Sequence, residues 1–248
     1  MSNRRKDGTG YSRGEDTRAR VIASALKLFG QCGFDGASTR EIAVDAGVNA
    51  PALQYYFSSK EGLYLACVEH MASTLWQHAQ AAVSNAGELL LKHAPDAELI
   101  DAHCNIQDSI ADFLFSPAGP ADWVLLVVRE QAGLGLQAAF DLMYNEVTAK
   151  FIGINSALVG RLLGVPPGAE EARVRAITLS GQLLVFQFLR RSFLTALGWD
   201  KFDGRRVSLI KRILRENTEA LLTSLTRSRA AHDAAAAPKR KSKTVNRR

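Results

Sequence analysis

No stretch of the chain approaches the ~18 consecutive apolar residues that a membrane span requires. The apolar run from Trp123 to Val128 is only six residues long. Cysteine is scarce: Cys32, Cys67 and Cys104 lie far apart and form no CxxC, which argues against a disulfide framework and a structural zinc. All three are expected to be buried, reduced thiols. Catalytic signatures are missing as well, with no GxSxG, HExxH, P-loop or dinucleotide fingerprint. His70, His78, His93 and His103 show no metal spacing and no clear nucleophile beside them, and the three-residue step from Cys67 to His70 is one that arises often by chance. No catalytic residue, metal or cofactor is therefore expected. The first twenty residues are polar and carry no secretory leader, so a cytoplasmic location is expected.

What the chain does have is helix periodicity and charge at its ends. Hydrophobic residues make up 47% and charged residues 23% of the 248, an ordinary balance for a globular protein. The net charge of +6 is unevenly spread. Residues 226–248 hold eight Lys/Arg against one Asp, residues 1–60 hold nine against six acids, and the middle is mildly acidic. A polyanion would thus be met by the ends and not by the body.

Strand alternation is absent, and the pattern reads as all-α with about nine helices. The first covers residues 17–32, where Val21/Ile22, Ala25 and Leu28/Phe29 form one apolar stripe and Gly33 serves as the terminating residue. Ser38-Thr39-Arg40-Glu41 is a capping box opening a short helix that ends at Ala46-Gly47. Asn49 then caps a second short helix, with Pro51 in its first turn, running through Phe57. Two short helices across a Gly-containing turn read as a helix-turn-helix. Longer helices follow from residue 61 into the low 80s and over 97–115, 121–133, 137–163, 170–197 and 205–225. The domain reading is a disordered basic arm over 1–16, a DNA-binding domain over 17–63, an effector-binding and dimerisation domain over 64–225, and a disordered basic tail over 226–248.

The second helix of such a motif enters the major groove near its N-terminus. Asn49, Ala50, Pro51, Gln54 and Tyr55 are its candidates for base edges. Gln54 is the sharpest, because its amide can donate to N7 and accept from N6–H of adenine together. Thr39, Arg40, Asn49, Tyr56 and Lys60 are placed for phosphates. The competing reading makes Tyr55, Tyr56 and Phe57 core aromatics, and it is favoured for Phe57 and Tyr55. Leu53 is read as core.

Residues 17–65 resemble the DNA-binding domain of TetR-family regulators. The likeness is carried by Ala25-x-x-Leu28-Phe29, Gly33-Phe34-x-x-Ala37-Ser38-Thr39, Ile42-Ala43-x-x-Ala46-Gly47-Val48 and Tyr55-Tyr56-Phe57-x-Ser59-Lys60-Glu61-x-Leu63. Gln54 departs from the Leu-Tyr-x-x-Phe pattern of many members. The resemblance implies phosphate contacts from Tyr56 and Lys60. Further along, Val128 to Gln131, Ala139 to Tyr144, Leu179 to Gln182, Phe186 and Gly198-Trp199 are similar to the CecR-like subgroup.

That resemblance implies an effector pocket and a homodimer. Arg129 and Glu130 follow directly on an apolar run and must be paired, solvated or facing a cavity. One reading makes Arg129, Glu130, Gln131, Phe140, Tyr144, Gln182 and Phe186 the handles of a pocket for an unknown small molecule. The other makes the two charges an internal or interface pair. Leu183, Phe186, Arg190, Phe193, Ile210, Leu214 and Leu221 are the candidates for the dimer interface. The expected function is a ligand-responsive repressor binding a palindromic operator. A cysteine-based redox or metal sensor and a non-specific DNA-coating protein are the alternatives.

Overall fold

The computed structural model describes residues 9–116 and 121–236, and every regular element among them is a helix. The order is α1 (Thr9–Gly36), α2 (Thr39–Asp45), α3 (Ala50–Phe57), α4 (Lys60–Leu91), α5 (Asp96–Leu114), α6 (Ala121–Gln131), α7 (Gln137–Met143), α8 (Ala149–Leu163), α9 (Glu170–Phe188), α10 (Arg190–Leu197) and α11 (Gly204–Ala236). A π turn, Tyr144–Thr148, joins α7 to α8 as one rod. The described residues therefore hold ten rods against nine read from the sequence. The extra break falls at Leu189, which leaves helical geometry (φ −105°, ψ 27°) with no Gly or Pro to announce it. It lets Arg190 and Phe193 turn back onto Phe202 and Phe186.

Helical structure reaches into both segments expected to be disordered. Helix α1 begins at Thr9, and α11 runs on through Ala236, while residues 1–8 and 237–248 lie outside the described residues. The first part of the tail has a structural task. Arg229 donates from Nη1 to the carbonyls of Arg161 (2.9 Å) and Leu162 (2.7 Å), and from Nη2 to Asp96 (2.7 Å). It thereby satisfies the last carbonyls of α8, where Gly164 takes the left-handed conformation that ends the helix.

Helix α1 is broken at Gly33 (φ 79°, ψ 174°), where the sequence places its end. The break deprives the preceding carbonyls of intrahelical partners. Arg129 of α6 supplies them, donating from Nε to Gly30 (3.2 Å) and from Nη2 to Gln31 (3.1 Å). A cation at a helix C-terminus also meets the negative end of its dipole.

Three apolar clusters fill the molecule. The first joins Val21, Phe29, Ile42, Leu53, Phe57 and Tyr64 with Leu126 of α6 and Ala139 of α7. The recognition helices thus share a core with the C-terminal half. Each fully buried side chain of this size contributes roughly 1.5–3 kcal/mol. The second cluster lies among α4, α5, α8, α9 and α11, and includes Leu99, Ile106, Leu158 and Leu222. The third, with Ala111, Phe115, Leu183, Phe202, Ile210 and Leu214, closes the α9–α11 corner.

Candidate DNA-binding site

Helix α2 begins where its capping box requires. The Ser38 hydroxyl accepts from the Glu41 amide (3.1 Å), and the Glu41 carboxylate accepts from the Ser38 amide (3.1 Å) and hydroxyl (2.7 Å). These Ser38 bonds hold the Glu41 carboxyl below the usual carboxylate range. The turn that follows needs a left-handed residue, and Gly47 provides it (φ 64°). Asn49 Oδ1 accepts from the Ala52 amide (2.9 Å) and fixes the start of α3, with Pro51 in the first turn. Helix α2 is tied to α1 from outside the motif by Arg20, which donates to the Ala46 carbonyl (3.3 Å), and by the Lys27–Asp45 ion pair (2.8 Å). Neither tie is legible locally, because the partners lie 26 and 18 residues apart.

Leu53 and Phe57 are the buried residues of α3, and Tyr56 packs partly buried against the same core. Arg40, Asn49, Ala50, Pro51, Gln54 and Tyr55 are exposed, and Thr39, Tyr56 and Lys60 are half-buried. Tyr55 corrects the core reading: it is 83% exposed. The alternation of Leu53 and Phe57 at i and i+4 occupies the inner face, so Tyr55 must point outward. Tyr56 packs edge-on against it (5.3 Å between ring centroids). Gln54 Nε2 donates to the Ser58 carbonyl (3.3 Å), a weak local bond that a base edge can displace. Lys60 donates to the Asp35 carbonyl (3.3 Å) and lies over the Phe34 ring (4.7 Å), pinning α4 to the end of α1. Val44 on α2 escaped the sequence reading, and it is 75% exposed.

The candidate effector handles do not gather in one cavity. Arg129 caps α1, and the Glu130 carboxylate accepts from the Tyr64 hydroxyl. Burial, reinforced by that carboxylate, pushes the Tyr64 phenol far up. Each charge is thus held inside the fold by a neutral partner, Arg129 by backbone carbonyls and Glu130 by a phenol, and neither forms an ion pair among those the structure shows. Gln131 is exposed, Phe140 stacks on Tyr144 (6.1 Å), and Gln182 bonds weakly within its own helix (3.5 Å). Phe186 belongs to the third cluster.

The candidate dimer residues are corrected in a similar way. Leu183, Ile210 and Leu214 are buried inside their own chain, and Phe186, Arg190 and Phe193 fold onto the same corner. Leu221 alone among the seven is an exposed apolar side chain. The exposed apolar residues of these helices are instead Val174, Ile177, Leu184, Val185 and Phe188 on α9, with Leu209, Ile213 and Leu221 on α11. Helix α9 is apolar on two sides, and the sequence alone did not say which one its own chain covers. Of the cysteines, Cys67 and Cys104 are buried and their thiols pushed up to about 12 by burial, whereas Cys32 is exposed, against expectation.

Two short helices crossing at a capped, glycine-bearing turn, with α3 presenting polar side chains outward, define a helix-turn-helix DNA-binding protein. Residues 21–67 match the bacterial regulatory proteins of the tetR family, and residues 101–225, half of the chain, match the C-terminal domain of the HTH-type transcriptional dual regulator CecR. The chain belongs to the TetR family of transcriptional regulators, with a CecR-type C-terminal domain. It is 29% identical over 218 residues to the dual regulator CecR of Shigella flexneri, covering 86% of this chain and 95% of that one. The repressor NicS of Pseudomonas putida is 33% identical over 73 residues, 29% of this chain and 34% of NicS. Among solved structures, AibR in complex with isovaleryl coenzyme A and operator DNA superposes with a TM-score of 0.56 at 15% identity, over 80% of this chain and 96% of AibR. A TetR-like regulator from a Rhodococcus species gives 0.55 at 17% identity, over 83% and 95%. At such identities the structural likeness speaks for the fold alone. The protein is a DNA-binding transcriptional regulator.

Proposed function

We propose that two copies of the chain grip a palindromic operator and release it when a small molecule occupies the C-terminal half, so that the resting output is repression. The observation that carries this reading is the uncovered apolar face of α9 and α11. A shallow depression between the two helices, lined by Glu170, Glu171, Val174, Arg175, Thr178 and Leu221, gives that face relief for a self-complementary fit. Pairing it across a two-fold axis makes a four-helix interface and supplies the second recognition helix. Effector control is supported by AibR, which shares the fold and is found with both an acyl coenzyme A and its operator. Repression is supported by the name of NicS, while the dual role in the name of CecR makes the sign of regulation a quantity to measure.

Within the motif, Gln54 and its neighbours Asn49, Ala50, Pro51 and Tyr55 read bases, and Thr39, Arg40, Tyr56 and Lys60 hold phosphates. Lys60 must then exchange its Asp35 bond for a phosphate. No catalysis and no cofactor enter this account. The experiment is selection from a randomised DNA pool at two salt concentrations. A palindrome is expected, with half-site centres about one helical turn of ~10 bp apart or a multiple of it. Gln54→Ala should relax one base position in each half-site, where a bidentate contact is worth about 1–3 kcal/mol. Binding that vanishes with salt and enriches no sequence would reduce the protein to a non-specific polycation.

A further inference from the structure

Helices α5 and α8 bury polar side chains whose hydrogen-bonding capacity the described residues leave partly unused. His103 on α5 is 0% exposed, and Asn155 and Ser156 on α8 are 2% and 3% exposed. Neither ring nitrogen of His103, nor Asn155 Oδ1, nor Ser156 Oγ has a hydrogen-bond partner within the described residues. Asn155 spends its Nδ2 on the Phe151 carbonyl (3.0 Å), which leaves its acceptor over. It also reaches His103: burial pushes the imidazole down to about 4, and a side-chain contact with Asn155, too poorly placed to count as a formed hydrogen bond, opposes this. The ring is therefore neutral at pH 7, with one nitrogen donating and the other accepting.

The surroundings are apolar. Ala102, Ile106, Leu158 and Val159 are buried in the same cluster, and Phe151 packs against it with Trp76 edge-on at 6.1 Å. Such a joint would be at least as stable with apolar residues in place of His and Asn, since buried polar groups without partners are costly. Their unused hydrogen-bonding atoms call for a guest that completes them. The rod carrying Asn155 also has a place to yield. The π turn Tyr144–Thr148 lies just before α8, and such turns interrupt regular helix hydrogen bonding, often at functional sites. Helix α8 and the turn both pack against α4, whose first residue is Lys60.

We propose that α5 and α8 part at His103 and Asn155 to admit a small uncharged molecule, an apolar body bearing a hydroxyl or amide, which makes the hydrogen bonds these side chains lack. The proposal deepens the effector reading above and rests on it. Neutrality follows from the site: it holds neutral donors and acceptors among apolar walls, so a carboxylate would be buried without a counter-charge. Ser156, one residue along α8, offers a further hydroxyl to a guest large enough to reach it.

The test uses the full-length protein with phenol and benzamide as probes and benzoate as the anionic control. The readouts are the melting midpoint and the ring nitrogens of the five histidines in long-range proton–nitrogen spectra, with His103 assigned through His103→Gln. A neutral probe is expected to move the His103 signals and raise the midpoint, and benzoate to do neither. Asn155→Leu should bind the probe about ten-fold more weakly, the worth of one neutral hydrogen bond, while melting no lower than the parent. Asn155→Ala serves in its place if the leucine variant does not fold. His103 signals unmoved by both neutral probes, equal action by benzoate, or a variant that melts lower yet answers the probe unchanged would each overturn the proposal, the last by showing a purely structural polar joint. Operator affinity in the same samples separates the two readings. A probe seated at His103 that leaves operator affinity unchanged keeps the site and removes the control. Release by another compound that leaves His103 unmoved removes the site and keeps the control.

Discussion

Gln54 and His103 are both neutral polar side chains, and their surroundings divide their roles. Gln54 is exposed and held by one long bond to Ser58, so it is free to change partners. His103 is sealed, and its effect must appear in stability. The unfolded chain takes up a proton on this residue at about 6.5, whereas the folded chain does so at about 4. Protonation therefore favours unfolding across that window. The His103 contribution is complete above pH 6.5 and is lost as the pH falls through it toward 4. At 1.36 kcal/mol per unit the loss is on the order of 3 kcal/mol. Urea unfolding at pH 7.5 and 4.5 should show it, and His103→Gln should remove that share. His70, also pushed down by burial, adds to the acid loss in both proteins, so the difference between them is the readout. An equal acid loss in the two would count against a neutral buried imidazole. The sequence showed the capping roles of Ser38, Glu41 and Asn49, because each acts within three residues of itself. It could not show His103, whose environment is made by a helix some fifty residues away.

At the scale of elements, two arginines finish helices to which they do not belong. Arg129 caps α1 from 98 and 99 residues away, and Arg229 caps α8 from 67 and 68. Periodicity and cap chemistry located the helices well, since apolar stripes, Gly33 and Gly164 are local signals. The arginines were misplaced for the same reason. Arg129 looked like a pocket handle, and Arg229 lay in a stretch whose Ala, Lys and Arg composition reads as disordered. Arg229→Ala should destabilise the protein by about 1.5–3 kcal/mol, the worth of a hydrogen bond from a charged group, less what solvent screens at its partly exposed position. Ending the chain after Ala236 should leave the urea midpoint unchanged and lower only the affinity for random DNA. If the Arg229→Ala midpoint matched the parent's, the capping role would be lost, and α11 would end functionally near residue 225. Arg129 holds a second consequence. It and Glu130 fasten α6 to α1 and α4, so a polar clamp joins the C-terminal half to the DNA-binding motif alongside the shared core.

For the whole molecule, the decisive matter is which face of α9 is spare. Helical spacing alone puts Leu183 with Phe186 and Arg190 on one side, and Leu184 with Phe188 on another. Burial of Leu183 against Ile210 and Leu214 assigns the first side to the chain's own core. Val174, Ile177, Leu184, Val185 and Phe188 are then left to water, as are Leu209, Ile213 and Leu221 of α11. Uncovered apolar side chains of this kind are what the proposed dimer would bury. Ile177→Glu combined with Ile213→Glu is expected to give a folded monomer in sedimentation, because neither side chain is needed by its own core. Each α3 would survive, so affinity for random DNA should change little. Operator affinity should fall by about 10²–10⁴, because the second half-site contact is made at an effective concentration that only a linked partner provides. Leu183→Glu is the contrasting variant: it should unfold the α9–α11 corner, since it buries a charge in the third cluster. A double variant that still sediments as a dimer and binds the operator as the parent does would move the interface elsewhere. A Leu183→Glu protein that is a well-folded monomer would restore the face the sequence first suggested.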